Sequence, residues 1–393
     1  MGFINIYFTK KQKMVNYEKN KTKLIIDWEE AISEIINCIK LANSSIRIRV
    51  FMWRDDNSWR KILDLLEQKL KSNKGIKVFI EKDSFWSLVY NFQKLISFWK
   101  LGWDIFSSEK GQNFIKNNKN LVFSFVGSRS ILFFKYLKEN DHSKIFLFDE
   151  NTVNSIAIIW WMNIADEYLT RENHKFPNTW GWHDYMVKLE WKIANKFSSH
   201  ISKHSKKWLR KKILSWIEIL SSIRNKRTLR SEILAQLYKA KKSIIIEHWY
   251  ITDNLIIRKL RKISQKWINI KIILPNVSDG VYHANMHSIY KILKPTLLTH
   301  KITPNIEVYL YKWMIHAKVL VIDEEVSIIG SANLTNWSFD ILKETNAIFR
   351  QKDWVTKELL TQLNLDLKNC EKITLDNIPK YNKILAKIQK FFI

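Results

Sequence analysis

The stretch "DHSKIFLFD", Asp141 to Asp149, recurs in type and spacing as "IHAKVLVID", Ile315 to Asp323. Each copy is a histidine, a lysine two positions on, then an aspartate after four apolar residues: His142, Lys144, Asp149 and His316, Lys318, Asp323. Side chains on a strand alternate between faces, so the His and Lys of one copy point the same way. The quartets "IFLF" and "VLVI" send apolar side chains to both faces, as in the middle of a covered sheet. One such copy on an exposed strand would be unremarkable; two copies in one chain call for a shared explanation.

The surroundings of the motif repeat as well. "EEAISEIINCIKLANS" spaces its isoleucines like one helix face, and "SIRIRVFMW", "RKILDLLEQKLKSN" and "IKVFIE" read as strand, helix and strand. "SEILAQLYKAKKS", "IIIEH", "LIIRKLRKISQK" and "INIKIILP" repeat that order in the second half. Helix–strand alternation of this kind predicts an α/β chain whose sheets are covered by helices. Between the halves, roughly 192–227 is basic and reads as a solvated connecting helix, with a membrane-facing surface as the alternative.

Composition narrows the partner. Lys and Arg number 65 against 38 Asp and Glu, a formal charge of +27, which favours an anionic partner such as nucleic acid, an anionic membrane or a phosphorylated substrate. Cys38 and Cys370 are too few for a disulfide framework and fit no metal-ligand spacing, so a reducing compartment is expected. The first residues lack the apolar core of a signal peptide. No apolar run approaches the roughly 18–20 residues of a membrane span.

A lysine beside an imidazole on a rigid strand suits attack on a phosphodiester. The ammonium neutralises phosphate oxygens while the imidazole supplies a nucleophile or a proton. Together with "MNIADEYL", "WHDYMVKLE", "EHWYITD" and "MIHAKVLVIDEEVSIIGSANLTNWSF", the paired motifs resemble those of the phospholipase D superfamily, and within it the bacterial cardiolipin synthases. The likeness runs roughly over 24–350. It implies an α/β fold of two phospholipase D-like lobes related by a pseudo-two-fold axis, each a mixed β-sheet flanked by helices. The expected boundaries are 24–195 for the first lobe, 196–227 for a basic helical connector and 228–393 for the second lobe.

The resemblance also implies the site. Both His–Lys pairs would converge on one phosphate, with His142 as nucleophile and His316 as general acid and base, although the sequence alone does not order the two. Asp184 and Glu344 resemble the family's orienting acids. Lys144, Lys318, Asn163 and Asn333 would hold phosphate oxygens, with Ser331 assisting. Asp149 and Asp323 belong to the motif but lie an odd number of residues from their histidines, so they are read as stabilising it. No metal and no cofactor are expected, since lysines and imidazoles supply the positive charge. The implied reaction joins two phosphatidylglycerols into cardiolipin and releases glycerol, on the inner face of the cell membrane and without an obligate protein partner. The alternatives are a nuclease or phosphodiesterase acting on nucleic acid, a phospholipid hydrolase, or a non-enzymatic basic binding module.

Tryptophan usage departs from the family. Glycine is 8 of 393 residues, well under the roughly 7% average, whereas tryptophan reaches 18. Aligning the halves places Trp160 against Gly330 and Trp267 against Gly75. The family pattern expects glycine at Trp160, Trp161, Trp191, Trp267 and Trp313 and tryptophan at Trp182; Trp53 and Trp337 also read as genuine. The expectation is that the gene reads UGA as glycine, which would return the other fifteen tryptophans to glycine. The competing reading is a tryptophan-rich chain that stacks on bases or lipid headgroups.

Overall fold

The computed structural model describes residues 21–83, 104–126, 141–160, 166, 181–202, 210–222, 228–278, 281–295, 305–350 and 353–391. The first half runs β1 (Thr22–Ile26), α1 (Asp27–Leu41), β2 (Ser45–Val50), α2 (Asn57–Ser72), β3 (Lys77–Asp83), α3 (Glu109–Asn117), β4 (Leu121–Val126), β5 (Lys144–Phe148), β6 (Ile156–Trp160), β7 (Tyr185–Glu190) and α4 (Trp191–Ser202). The second runs β8 (Arg210–Lys212), β9 (Ile217–Ser221), α5 (Thr228–Lys239), β10 (Ser243–His248), α6 (Asn254–Ser264), β11 (Asn269–Pro275), α7 (Tyr282–Leu293) and β12 (Ile306–Tyr311). It continues through β13 (Lys318–Ile322), β14 (Val326–Gly330), α8 (Asn336–Asp340), β15 (Thr345–Phe349), α9 (Trp354–Asp366), β16 (Cys370–Ile373) and α10 (Lys383–Phe391).

Local chemistry explains these elements. In β2 the alternating Ile46 and Ile48 are fully buried, as a half-covered strand requires. Helix α1 opens with Asp27, Glu29 and Glu30 and closes near Lys40, charges that oppose the helix dipole at both ends. The Asp253 carboxylate caps α6 by accepting from the Leu255 and Ile256 amides.

The strands form two mixed sheets, seven-stranded in the order β1-β7-β6-β5-β2-β3-β4 and nine-stranded in the order β16-β12-β11-β10-β13-β14-β15-β9-β8. The repeat is visible strand for strand, since β2 lies between parallel β3 and antiparallel β5 just as β10 lies between parallel β11 and antiparallel β13. The motif strands are covered on both faces. Phe146 and Phe148 join the core under the first sheet's helices, Leu320 and Ile322 the equivalent core of the second. Ile145, Leu147, Val319 and Val321 instead meet in a third core that both sheets share. The lobes are thus packed sheet towards sheet, and the motif strands are central in each.

The connector departs from the helical expectation. Helix α4 ends at Ser202, and β9 pairs antiparallel with β15 as β1 pairs with β7. Ile217, Ile219 and Leu220 are buried, as is Glu218 between them, so this segment serves as the opening strand of the second repeat and not as a solvated helix.

Backbone geometry divides the tryptophans. Among the described residues, the non-glycine residues with positive φ are Asp27, Asp149, Asn151, Asp323 and Glu324, with Trp191 at 55° and Trp267 at 64°. Short polar side chains tolerate this region, but a bulky one does not. Trp267 follows α6 and is 76% exposed, so no packing holds it there. Gly75, its partner in the internal alignment, has no left-handed φ and has room for a Cβ, which removes the capping argument at that position only. At Gly330 a Cβ would collide with the Asn346 side chain. Its counterpart Trp160 pairs with Lys144 along the strand. Trp161 lies outside the described residues. Trp28 and Trp53 are by contrast fully buried core residues. Packing therefore sides with tryptophan at 28, one of the positions composition assigned to glycine.

Candidate active site

Each motif lysine opens its strand and each histidine stands in the extended segment before it. The His142 amide donates to the Lys343 carbonyl at 2.9 Å and the His316 amide to the His183 carbonyl at 2.8 Å. Each histidine is therefore pinned by backbone of the opposite half. The side chains follow the same exchange: His142 Nδ1 lies 3.1 Å from Glu344 Oε2, and His316 Nδ1 lies 2.7 Å from Asp184 Oδ2. An imidazole held at Nδ1 by a carboxylate has its tautomer fixed and its Nε2 free for chemistry.

Lys144 Nζ donates to the His142 carbonyl at 3.0 Å, and Lys318 donates to the His316 carbonyl. Lys318 Nζ also lies 3.1 Å from His316 Nδ1 and 3.2 Å from its Nε2, so the two motifs are not equivalent in detail. Glu344 is fixed by the Ser331 and Ser338 hydroxyls, and its own amide donates to Ser222 Oγ at 2.7 Å. Asn333 is buried, and among the described residues its Oδ1 accepts no hydrogen bond. Asn163 lies outside the described residues.

Asp149 and Asp323 do structural work. The Asp149 carboxylate accepts from the amides of Asn43, Ser44 and Ser45 at 2.9, 2.6 and 3.2 Å. Asp323 accepts from Lys241, Lys242 and Ser243 at 2.9, 2.7 and 3.0 Å. Each ties the end of a motif strand to the turn between a helix and the neighbouring strand.

His142, Lys144, Asp184, His316, Lys318 and Glu344 are all buried, which sets the electrostatics. Burial lowers the pKa of His142 and, more strongly, of His316, where Lys318 and Lys144 push the same way. Burial also draws Lys144 down to about 7 and lifts Asp184 to about 6. Four groups that carry positive charge when protonated share one water-poor space, and an anion with several oxygens would relieve their repulsion.

The sequence reading did not single out an aromatic lining. Phe51 meets His142 edge-on at 4.8 Å, and Trp249 lies 4.3 Å from His316. Both directly follow corresponding strands, β2 and β10, so the repeat itself carried the signal. Trp182 stacks on His316 at 5.6 Å. Trp249, which composition assigned to glycine, is therefore part of the site wall.

Behind this wall His183 sits between the lobes, 2.7 Å from Asp27 and 3.3 Å from Asp366, with Glu247 3.4 Å away. Burial opposes its charge, but Asp27 and Glu247 outweigh that and raise its pKa well above the usual value. Burial pushes Glu247 up to about 8. The ligand atoms of His183, Glu247 and Asp366 lie within 4.8 Å of one another and could hold a cation. A protonated imidazole offsets one of the carboxylate charges in this cluster.

Residues 233–367 match the family model described as "Cardiolipin synthase, PLD-like domain". The chain is 25% identical over 400 residues to cardiolipin synthase of Clostridium perfringens (strain 13 / Type A), covering 94% of this chain and 75% of the relative. It is likewise 25% identical over 406 residues to cardiolipin synthase 1 of Staphylococcus epidermidis, covering 96% and 75%. Among solved structures it is similar to phosphatidylserine synthase of Haemophilus influenzae Rd KW20, with a TM-score of 0.70, 12% identity and coverage of 95% and 93%. Polyphosphate kinase of Porphyromonas gingivalis shares the fold over 96% of this chain and 53% of its own, with a TM-score of 0.58 and 14% identity.

Proposed function

We propose that this chain, a phospholipase D-like protein similar to the cardiolipin synthases, is a phosphatidyltransferase that joins two phosphatidylglycerols into cardiolipin and releases glycerol. The observation that carries the reading is the reciprocal exchange of acids, Glu344 on His142 and Asp184 on His316, with a buried lysine beside each histidine.

His142 is the nucleophile in this reading. Its Nε2 lone pair attacks phosphorus, the bond to the departing glycerol oxygen breaks, and His316 gives that oxygen its proton. The hydroxyl of a second phosphatidylglycerol then loses its proton to His316 and attacks phosphorus. The P–N bond breaks and His142 is restored. The assignment rests on the Lys318 ammonium, which lies against the His316 ring, 3.1 Å from Nδ1 and 3.2 Å from Nε2, and crowds that imidazole with positive charge. Arrival of an anionic phosphodiester offsets the local positive charge and lets His316 and both lysines hold their protons. Lys144, Lys318, Asn333 and Asn163 bind the non-bridging oxygens, and Ser331 keeps Glu344 in place. The substrate lies at the cytoplasmic face of a membrane, which the protein meets from the side. Among the described residues no helix is long and apolar enough to cross one.

The test is incubation with phosphatidylglycerol vesicles without added metal, following cardiolipin and free glycerol together. The reading expects the two to rise in step, and to vanish in His142→Ala and in His316→Ala. Phosphatidic acid with glycerol and no cardiolipin would make the protein a hydrolase. No lipid product would transfer the reading to nucleic-acid phosphodiesters, with plasmid DNA as the next substrate.

A further inference from the structure

The last helix, α10, carries its apolar side chains on the wrong face for a globular protein. Ala386 is buried against the body of the second lobe, and α10 is joined to α7 by the Ala284 amide, which donates to Gln389 Oε1 at 2.9 Å. On the opposite face Ile384 is 70% exposed and Ile388 49%, one helical turn apart, with Leu385 at 43% beside them. Burying those residues would have been as easy as burying Ala386 had folding been their only task.

The charge around this ridge has one sign. Lys383 and Lys387, also a turn apart, flank the isoleucines, and α10 contains no acidic residue. Lys390 Nζ reaches Asn254 Oδ1 at 2.8 Å. Asn254 is on the rim of a cleft of about 310 Å³ lined by Arg258, Arg261, Lys291 and Lys294, with no acidic residue in its wall. An apolar ridge bordered by lysines, next to a basic cleft, is complementary to lipid tails beneath anionic headgroups.

The ridge is also connected to the catalytic centre. Trp249, 4.3 Å from His316, is stacked on Tyr250 at 4.1 Å. Tyr250 packs with Val281 and Ala284 at the start of α7, and Ala284 is the residue tied to α10. A short run of contacts thus leads from the reacting histidine to the exposed helix.

We infer that α10 and the adjoining basic cleft form the surface by which the second lobe docks on an anionic bilayer, laying α10 in the interface beside the active site. The choice of partner rests on the proposed function; the geometry of the surface does not.

Co-sedimentation of the full chain with vesicles tests the inference without turnover. Wild type is expected to bind phosphatidylglycerol vesicles in a salt-sensitive way and phosphatidylcholine vesicles weakly. Ile384→Ser/Ile388→Ser should weaken binding to the anionic vesicles by about tenfold or more. Lys383→Gln/Lys387→Gln should weaken it by about fivefold per lysine while leaving the weak phosphatidylcholine binding unchanged. Both double variants should still turn over phosphatidylglycerol presented in detergent micelles, which shows that they fold. Unchanged vesicle binding by Ile384→Ser/Ile388→Ser would overturn the inference. So would sedimentation velocity showing a dimer that this variant dissolves, since a second copy would then cover the ridge. Vesicle binding without any cardiolipin formation would instead retire the proposed reaction and leave the docking surface standing.

Discussion

Replacing Trp267 with glycine should make the protein more stable, the reverse of what removing a tryptophan ordinarily does. Trp267 has φ 64° at the end of α6 and is 76% exposed. A left-handed non-glycine residue costs about 1–2 kcal/mol. Glycine relieves that and gives back about 0.5–1 kcal/mol through the freer unfolded chain. Little burial is lost, so the net gain is roughly 0.5–1 kcal/mol. Trp53 supplies the contrast, because it is fully buried in the first lobe's core and its loss should cost about 3–5 kcal/mol. Urea unfolding followed by far-ultraviolet circular dichroism measures both without relying on tryptophan fluorescence. The midpoint should rise for Trp267→Gly and fall for Trp53→Gly. A fall for Trp267→Gly as well would refute the reasoning, and with it the structural support for glycine in the natural protein at that position.

The site yields further predictions. Asp184, lifted by burial to about 6, should be ionised and hold His316 only above that pH. Lys144, drawn down by burial to about 7, should lose its charge above that value. The pH profile of kcat/KM is therefore expected to rise near 6 and decline from about 7, and Asp184→Asn should erase the acidic limb as well as slow the reaction. Lys318→Ala should cost on the order of 2.7–4 kcal/mol of transition-state stabilisation, by analogy with loss of an oxyanion donor, seen mainly in kcat. Asp149→Ala, which strips the acceptor from three amides around a buried carboxylate, should lower unfolding stability by about 3 kcal/mol or more. Asp323→Ala should cost less, since the Asp323 side chain is only half-buried and water can replace it more readily.

Much of this was legible in the chain because the fold is a repeat. His142 and His316 stand out in the sequence because each carries its lysine at the same spacing, and a strand's period of two makes that spacing geometric. The strands β2, β3, β10 and β11 and the helices before them follow from periodicity alone. The connector does not announce its strand because Lys and Arg dominate 203–212, and the few apolar residues that matter to the sheet, Ile217, Ile219 and Leu220, are interrupted by Glu218. Pairing of the acids across the halves was not legible: Asp184 is adjacent to no motif, and only the folded chain decides which histidine it meets. The aromatic wall, Phe51 and Trp249, was hidden for the opposite reason, since an aromatic after a strand is ordinary until its partner is seen. Composition flagged the tryptophans together, and only backbone conformation and packing separate Trp191 and Trp267 from Trp28 and Trp249.

The crossing of acids between halves has a consequence for the life of the chain. Neither lobe contains a complete charge partner set: the first folds with a histidine awaiting Glu344, and the second with one awaiting Asp184. A nascent or damaged chain with a single ordered lobe would leave its imidazole without the carboxylate that fixes its tautomer. Competence for the chemistry proposed above is thus conferred by assembly, since each histidine gains its orienting acid only when both lobes are in place.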